Sequence, residues 1–344
     1  MTNDPALDTL FLPFSTGLVD WPKESRVLFL RARSGPVVDA FAHAQIVCEQ
    51  TFKPFADALT RAGREVFESS DEICPMSMVL PPRQREEARA LLARAVQRTA
   101  SGGIVMASMS NTEGARSGEA DLERLTGNIQ SLSKNKCRVF WSTVDEAVKE
   151  SALLAEWIAL DAPRSIADGR FLSRPGLFAW DRIDSASALL VAHLPGDISG
   201  RAADLGAGYG YLSAELLARN PRITALDVYE AEARAIAVAR LNLEDASRRV
   251  DIDYHWHDVT TGLLASYDVI VSNPPFHQGR ADQPDLGQAF IMAAALALNP
   301  GGRLWLVANR HLPYEAVLAS QFATVRAVIV QDGFKVIEAT KARA

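Results

Sequence analysis

Cysteine is scarce in this sequence: Cys48, Cys74 and Cys137 are odd in number and widely spaced, with no Cys-x-x-Cys pair. Their scarcity excludes a disulfide framework and a thiolate metal site, and they read as reduced thiols of a cytoplasmic protein. No apolar run is long enough to cross a bilayer, and the opening MTNDPALDTL lacks the basic-then-apolar layout of a signal peptide. Basic charge is in deficit as well. With 36 Lys and Arg against 42 Asp and Glu the formal net charge is −6, so the surface as a whole is not built to grip nucleic acid, although a local basic groove stays open.

What is present is a chain of 344 residues, 48% apolar and 23% charged, enough for two globular domains with cores of their own. From about Gly200 onward, apolar runs (RAADLGAG, ITALDVY, DIDYHWHD, YDVIVSN, GGRLWLVAN) alternate with Ala/Leu-rich stretches such as AEARAIAVARLNLE and GQAFIMAAALAL. Strand and helix signals in alternation predict βαβ units around a mostly parallel sheet. The strands after Gly302 have at most a short helix between them and predict an antiparallel edge pair.

The first half follows the same plan. Segment 88–111 reads helix, Gly102-Gly103, apolar strand, Asn, and segment 287–309 reads helix, Gly301-Gly302, apolar strand, Asn. A Pro-Pro pair precedes each: Leu80-Pro81-Pro82-Arg83 and Asn273-Pro274-Pro275-Phe276. An ancient duplication explains the likeness, and so does the spacing that any two Rossmann-like domains share. Under either account the first half is catalytically silent, since Arg33-Ser34-Gly35-Pro36 after its first strand is no cradle for a cofactor. The expectation is an α/β chain with two Rossmann-like domains in tandem. The domain over 1–160 is degenerate, and the one over 161–344 is a seven-stranded, mostly parallel sheet with helices on both faces. A linker is expected within 151–175.

Asp204-Leu205-Gly206-Ala207-Gly208-Tyr209-Gly210 ends a strand and opens a helix. Glycines there let the backbone approach a ligand at the C-terminal edge of a parallel sheet. A dinucleotide fingerprint would have its third glycine where Tyr211 and Leu212 stand. The spacing favours S-adenosyl-L-methionine over NAD, because that cofactor has no pyrophosphate to seat on a helix N-terminus. Asp204, Gly206, Gly208 and Gly210 are the candidate loop residues, and Asn273 beyond the fourth strand is a further candidate to touch the cofactor. Asp227, at the expected end of ITALDV, is the candidate acceptor of both ribose hydroxyls, and Asp258, after DYHWH, of the adenine amine. Glu230 could share the role of Asp227, but the preferred reading sets it at the start of the next helix, where an acid complements the dipole. A lone Asp is more often a cap or a solvated loop residue, but acids recurring at successive strand ends overturn that reading.

Asn273-Pro274-Pro275-Phe276 leaves the fourth strand. A conjugated amine is a poor nucleophile because its lone pair is delocalised. Accepting both of its N–H protons, on the Asn273 side-chain oxygen and the Pro274 carbonyl, favours the pyramidal nitrogen that attacks a sulfonium methyl. The prolines stiffen the turn and keep these acceptors aimed, and Phe276 offers a face for a planar ring, a stack worth roughly 1–3 kcal/mol. The expected acceptor is a planar amine on a base or an amide.

Pro175-Gly176-Leu177-Phe178 with Asp184 nearby, DLGAGYGYLS, the Asp227 segment, SNPPFHQG and VANRHLPY together resemble the ribosomal RNA small-subunit guanine-N2 methyltransferases of the RsmC/RlmG type, over about half the chain. The resemblance implies a class I S-adenosylmethionine-dependent enzyme with a degenerate first domain and a guanine flipped into its pocket. It places cofactor binding on Gly206, Gly208, Asp227 and Asp258, the target amine on Asn273 and Pro274, and stacking on Phe276. It implies ribosomal RNA or a ribosomal subunit as partner; no membrane is expected, and the sequence leaves the oligomeric state open, with a monomer favoured. Leu177 and Trp180 are loose matches, and the acidic balance departs from an RNA binder. Arg83, Arg85, Lys134, Lys136, Arg138 and Arg310 are candidate RNA contacts or ordinary surface charges. His255 and His257 have no third ligand at metal-binding spacing, His311 has no assigned role, and His277 is a neighbour of the motif. Three other readings compete: a methyltransferase for a protein glutamine amide, a non-catalytic RNA-binding assembly factor, and a nicotinamide dehydrogenase that the glycine spacing disfavours.

Overall fold

The computed structural model describes residues 4–23, 26–41, 45–275, 277–278, 281–282 and 284–343. The chain divides into two compact units, Met1–Ala162 and Pro163–Ala344. The first carries strands β1 (Val27–Leu30), β2 (Ile46–Glu49), β3 (Glu65–Phe67), β4 (Cys74–Val79), β5 (Thr99–Ser110), β6 (Gln130–Lys134) and β7 (Cys137–Thr143). The second opens on a hairpin, β8 (Arg164–Ile166) and β9 (Phe171–Ser173), followed by β10 (Ser199–Leu205), β11 (Arg222–Glu230), β12 (Asp251–Trp256) and β13 (Tyr267–Ser272). After the two-residue strands β14 (His277–Gln278) and β15 (Ala281–Asp282) come β16 (Leu298–Asn309), β17 (Thr324–Gln331) and β18 (Phe334–Thr340).

The main sheets have seven strands each and the same order, β3-β2-β1-β4-β5-β7-β6 and β12-β11-β10-β13-β16-β18-β17. The first five strands of each are parallel, and the last two pair antiparallel at one edge. These are tandem Rossmann-like domains, and the mostly parallel sheet is the one that the alternating pattern implied. Parallel strands covered on both faces need apolar residues throughout. All four residues of β1 are buried, as are five of the six in β13. In the second unit one face packs around Leu205, Tyr229, Ile270 and Leu306, the other around Ala202, Val228, Val271 and Val307.

The Gly-Gly pairs have a physical cause. Gly102 and Gly301 both sit at φ 77, where L side chains are strained. A Cβ on Gly103 would meet the Pro75 carbonyl oxygen at 2.5 Å, and one on Gly302 the Asn299 oxygen at 2.9 Å. Each pair makes the same bend at the start of the fifth strand, where the register with the fourth shifts.

Two local expectations change. The 151–175 stretch is not featureless: it holds the helix Ala152–Ala159, with Leu154 and Trp157 buried in the first core, and then the β8–β9 hairpin. A two-turn helix is too short to show a period. Strand β11 also runs to Glu230, three residues past Asp227, so Asp227 lies inside the strand. Among the described residues no helix is long and apolar enough to cross a membrane.

Candidate active site

The strand order reverses direction between β10 and β13, whose partners Leu205 and Ser272 lie in register. Segments leaving these two ends diverge and open the crevice in which sheets of this kind bind ligands. A cleft stands there, lined by Asp184, Ser187, Gly206, Gly208, Tyr211 and Asn273, with Phe178 60% exposed at its edge.

Gly206, Gly208 and Gly210 all take positive φ. A Cβ on Gly208 would meet nothing within 4 Å, so bare backbone faces open space, whereas one on Gly210 would press on Ala239 at 3.3 Å. The Gly208 N–H donates to the Glu230 carboxylate at 2.8 Å, and the Glu232 N–H donates to its other oxygen at 2.9 Å. Burial raises the Glu230 pKa, and those backbone donors oppose the rise.

Asp227 lies within the strand and not at its end. It is 1% exposed, its Oδ2 accepts from Arg201 at 2.7–2.8 Å and its Oδ1 pairs with His255 at 2.6 Å. Both oxygens are committed within the sheet, and the carboxylate at the strand end beside the glycine loop is that of Glu230. A strand three residues longer than expected puts Glu230, and not Asp227, at that end. The signal was the apolar alternation continuing through Val228 and Tyr229.

Asp204, next to last in β10, is fully buried. Its Oδ2 accepts from the Ser213 hydroxyl at 2.7 Å, its Oδ1 has no partner, and burial lifts its pKa to about 7. Asp258 follows β12, half-buried, and its Oδ1 accepts from the Thr260 N–H at 3.0 Å and hydroxyl at 2.7 Å. It thereby caps the turn Val259–Thr261 at the same edge of the sheet.

Asn273 is the first residue beyond β13. Its Nδ2 donates to Asp184 Oδ2 and to Ser187 Oγ, both at 2.9 Å. Both amide protons are thus taken by protein, which leaves Oδ1 as its acceptor atom. Asp184 caps the helix Ser185–His193 by accepting the Ser187 N–H at 2.8 Å. Ser187 was not expected at the site, although Asp-x-x-Ser before an apolar helical run is a capping signal. Pro274 is buried and Pro275 exposed, while Phe276 lies outside the described residues. His277–Gln278 pairs antiparallel with Ala281–Asp282.

Other candidates fall elsewhere. His255 holds Asp227 and stacks on Tyr229, and His257 meets the Gly262 carbonyl at 2.7 Å. Among the described residues no group of three or more His, Cys, Asp or Glu could hold a metal. Arg85 pairs with Asp121 and Arg138 with Glu119, whereas Arg83, Lys134, Lys136 and Arg310 are exposed.

The sheet order and the glycine loop are those of a Rossmann-like methyltransferase, and similarity to known proteins makes the assignment narrower. Residues 168–338 match the Methyltransferase small domain family. Ribosomal RNA small subunit methyltransferase C of Pseudomonas paraeruginosa is 32% identical over 284 residues, 81% of this chain and 83% of that one. The protein of the same name from Erwinia tasmaniensis is 36% identical over 170 residues, a match that spans 49% of each chain. The solved 16S rRNA N2 methyltransferase RsmC of T. thermophilus, in complex with AdoMet and guanosine, superposes with a TM-score of 0.81 at 25% identity, covering 98% of this chain and 92% of that one. The chain belongs to the ribosomal RNA small subunit methyltransferase C family.

Proposed function

We propose that this chain transfers a methyl group from S-adenosyl-L-methionine to the exocyclic N2 amine of a guanine in ribosomal RNA. The observation that carries the reading is the placement of Asn273, with Oδ1 as its remaining acceptor, in one cleft with the Gly206–Gly208 backbone. The cofactor fits this cleft: bare backbone at Gly208 leaves room, and Glu230 at the strand end has lone pairs for ribose hydroxyls. Glu230 takes the ribose role in place of Asp227. Asp258 holds the adenine amine, Gly206, Gly208 and Gly210 shape the cradle, and buried Asp204 supports it from behind. When bound, S-adenosylmethionine supplies an electrophilic sulfonium methyl.

Asn273 Oδ1 and the Pro274 carbonyl accept the two amine protons and hold the lone pair toward that methyl. Phe276 stacks on the base. The nitrogen loses its proton to water after attack, so no general base is required. The family assignment favours RNA over a glutamine amide, and the partner is ribosomal RNA or a ribosomal subunit met by a cytoplasmic monomer. Labelled methyl transfer tests this, with ribosomal RNA from cells lacking the protein offered as naked RNA and as subunits beside a release factor. Label in a guanine of the RNA is expected. Label on the release factor alone would sink the reading.

A further inference from the structure

We infer that Asp184 and Ser187 are positioning residues that set which face of the Asn273 carboxamide meets the substrate. The inference rests on the amine-acceptor role proposed for Asn273. A carboxamide is nearly symmetric in shape but opposite in chemistry, since its oxygen accepts and its nitrogen donates. Reversed, Asn273 would point N–H groups at an N–H substrate and repel it. Asp184 Oδ2 and Ser187 Oγ, both 2.9 Å from Nδ2, take the two amide protons and disfavour that reversal. Asp184 is itself held, because the same Oδ2 accepts the Ser187 N–H at 2.8 Å. Asp184 makes the reversal costly, because its carboxylate only accepts and the turned amide would face it with a carbonyl oxygen, whereas the Ser187 hydroxyl, 7% exposed, could turn from acceptor to donor.

The first unit supplies an independent observation. Its helix Pro5–Leu10 packs on β5 and β7 as Ser185–His193 packs on β16 and β18. Its N-cap is also an aspartate: Asp4 accepts the Leu7 N–H, as Asp184 accepts that of Ser187. Leu7 therefore stands where the second unit has Ser187. Leu80, the first residue beyond β4, stands where it has Asn273. Leu7 and Leu80 share one apolar cluster. Asp4, with no amide beside it, binds Arg33 at 2.7 Å instead. Where the acceptor amide is gone, the hydroxyl that holds it is gone too, and the carboxylate has turned to another partner. A serine kept only to cap or pack its helix would have no reason to vary with the residue after the fourth strand.

The test uses the full chain at saturating donor and RNA. Asp184→Ser keeps a good helix cap but shortens the reach to Asn273. Combined with Ser187→Ala it should lower kcat about 10- to 100-fold. Asp184→Asn, which can place a carbonyl oxygen where Oδ2 stood, should stay within about threefold of wild type, although it loses the charge. In an Asn273→Ala background, adding Ser187→Ala should cost less than about twofold, because no amide remains to orient. An equal loss in both backgrounds overturns the proposal. The Asn273 carboxamide protons, followed by NMR hydrogen exchange without substrate, should be protected in wild type and unprotected in the Asp184→Ser, Ser187→Ala protein. That readout is independent of turnover. Unchanged protection contradicts the lock, whereas absent guanine methylation contradicts only the activity.

Discussion

The two sheets share a strand order, an antiparallel edge pairing and a glycine bend, yet they differ at the C-terminal ends of their central strands. Register aligns them position by position, because Leu30 pairs with Glu49 and Val79 as Leu205 pairs with Tyr229 and Ser272. Arg31 then takes the place of Gly206 and keeps its positive φ, and Arg33 takes the place of Gly208. Phe29 replaces Asp204, Gln50 replaces Glu230 and Leu80 replaces Asn273. Gln50 even repeats part of the Glu230 network, since its side-chain oxygen accepts the Phe52 N–H at 2.9 Å as Glu230 accepts that of Glu232. Its nitrogen, however, donates to the Ala32 carbonyl at 2.6 Å and closes the loop on itself. The lesson is that a fold can keep its backbone geometry while each polar group facing the crevice is either made apolar or satisfied internally, and burial rewards both.

The largest effect should come from imposing the first sheet's residue on the second. Asn273→Leu is expected to reduce methyl transfer by about 100-fold or more, the cost of losing one preorganised polar group, with donor affinity by calorimetry nearly unchanged. If affinity collapses along with rate, the division of roles between Asn273 and the glycine loop is wrong.

Asp204 against Phe29 should show in stability. A carboxyl whose folded pKa is raised to about 7 favours folding while protonated. Its contribution is complete below the unfolded value near 4 and is lost as pH rises through about 7, by up to about 4 kcal/mol. The urea midpoint of wild type should therefore fall between pH 4.5 and 8 more steeply than that of Asp204→Asn. Parallel slopes would remove the buried acid from the account.

Glu230 against Gln50 should show in binding. Glu230→Gln is expected to weaken the donor about 10- to 100-fold through loss of charge-assisted hydrogen bonds. Asp227→Asn should leave donor affinity within a few-fold and lower stability instead, because Arg201 and His255 lose their partner. The opposite pattern would restore Asp227 to the ribose.

The smallest effect is the reverse exchange. Gln50→Glu sets a carboxylate against the Ala32 carbonyl and should cost about 1–3 kcal/mol in urea unfolding, with methylation unchanged. A change in kcat would tie the first unit to the chemistry.

Much of this was legible in the chain because it is local. Glycine φ, proline stiffness and period-2 or period-3.6 runs need only neighbours, so the sheet class, the Gly206–Gly210 loop and the Asn273 turn could be read directly. Glu230 was legible only as second choice to Asp227, because where β11 ends is decided by its pairing with β10 and β12, and a strand-end carboxylate looks like a helix-start acid in sequence. The Asp184–Ser187–Asn273 cluster joins segments nearly ninety residues apart, a closeness that only the fold creates. The correspondence of Asp4, Leu7 and Gln50 with Asp184, Ser187 and Glu230 was hidden for a different reason. Identity had been erased at two of the three positions; strand register recovers Gln50, and the shared aspartate cap recovers Leu7.

The most direct measurement is the stoichiometry of S-adenosyl-L-methionine on the full chain by titration calorimetry, with wild type and Glu230→Gln side by side. One equivalent per chain, weakened by Glu230→Gln, is the result expected if only the second sheet keeps a cofactor site. A second equivalent, or one whose affinity ignores Glu230→Gln, would contradict it.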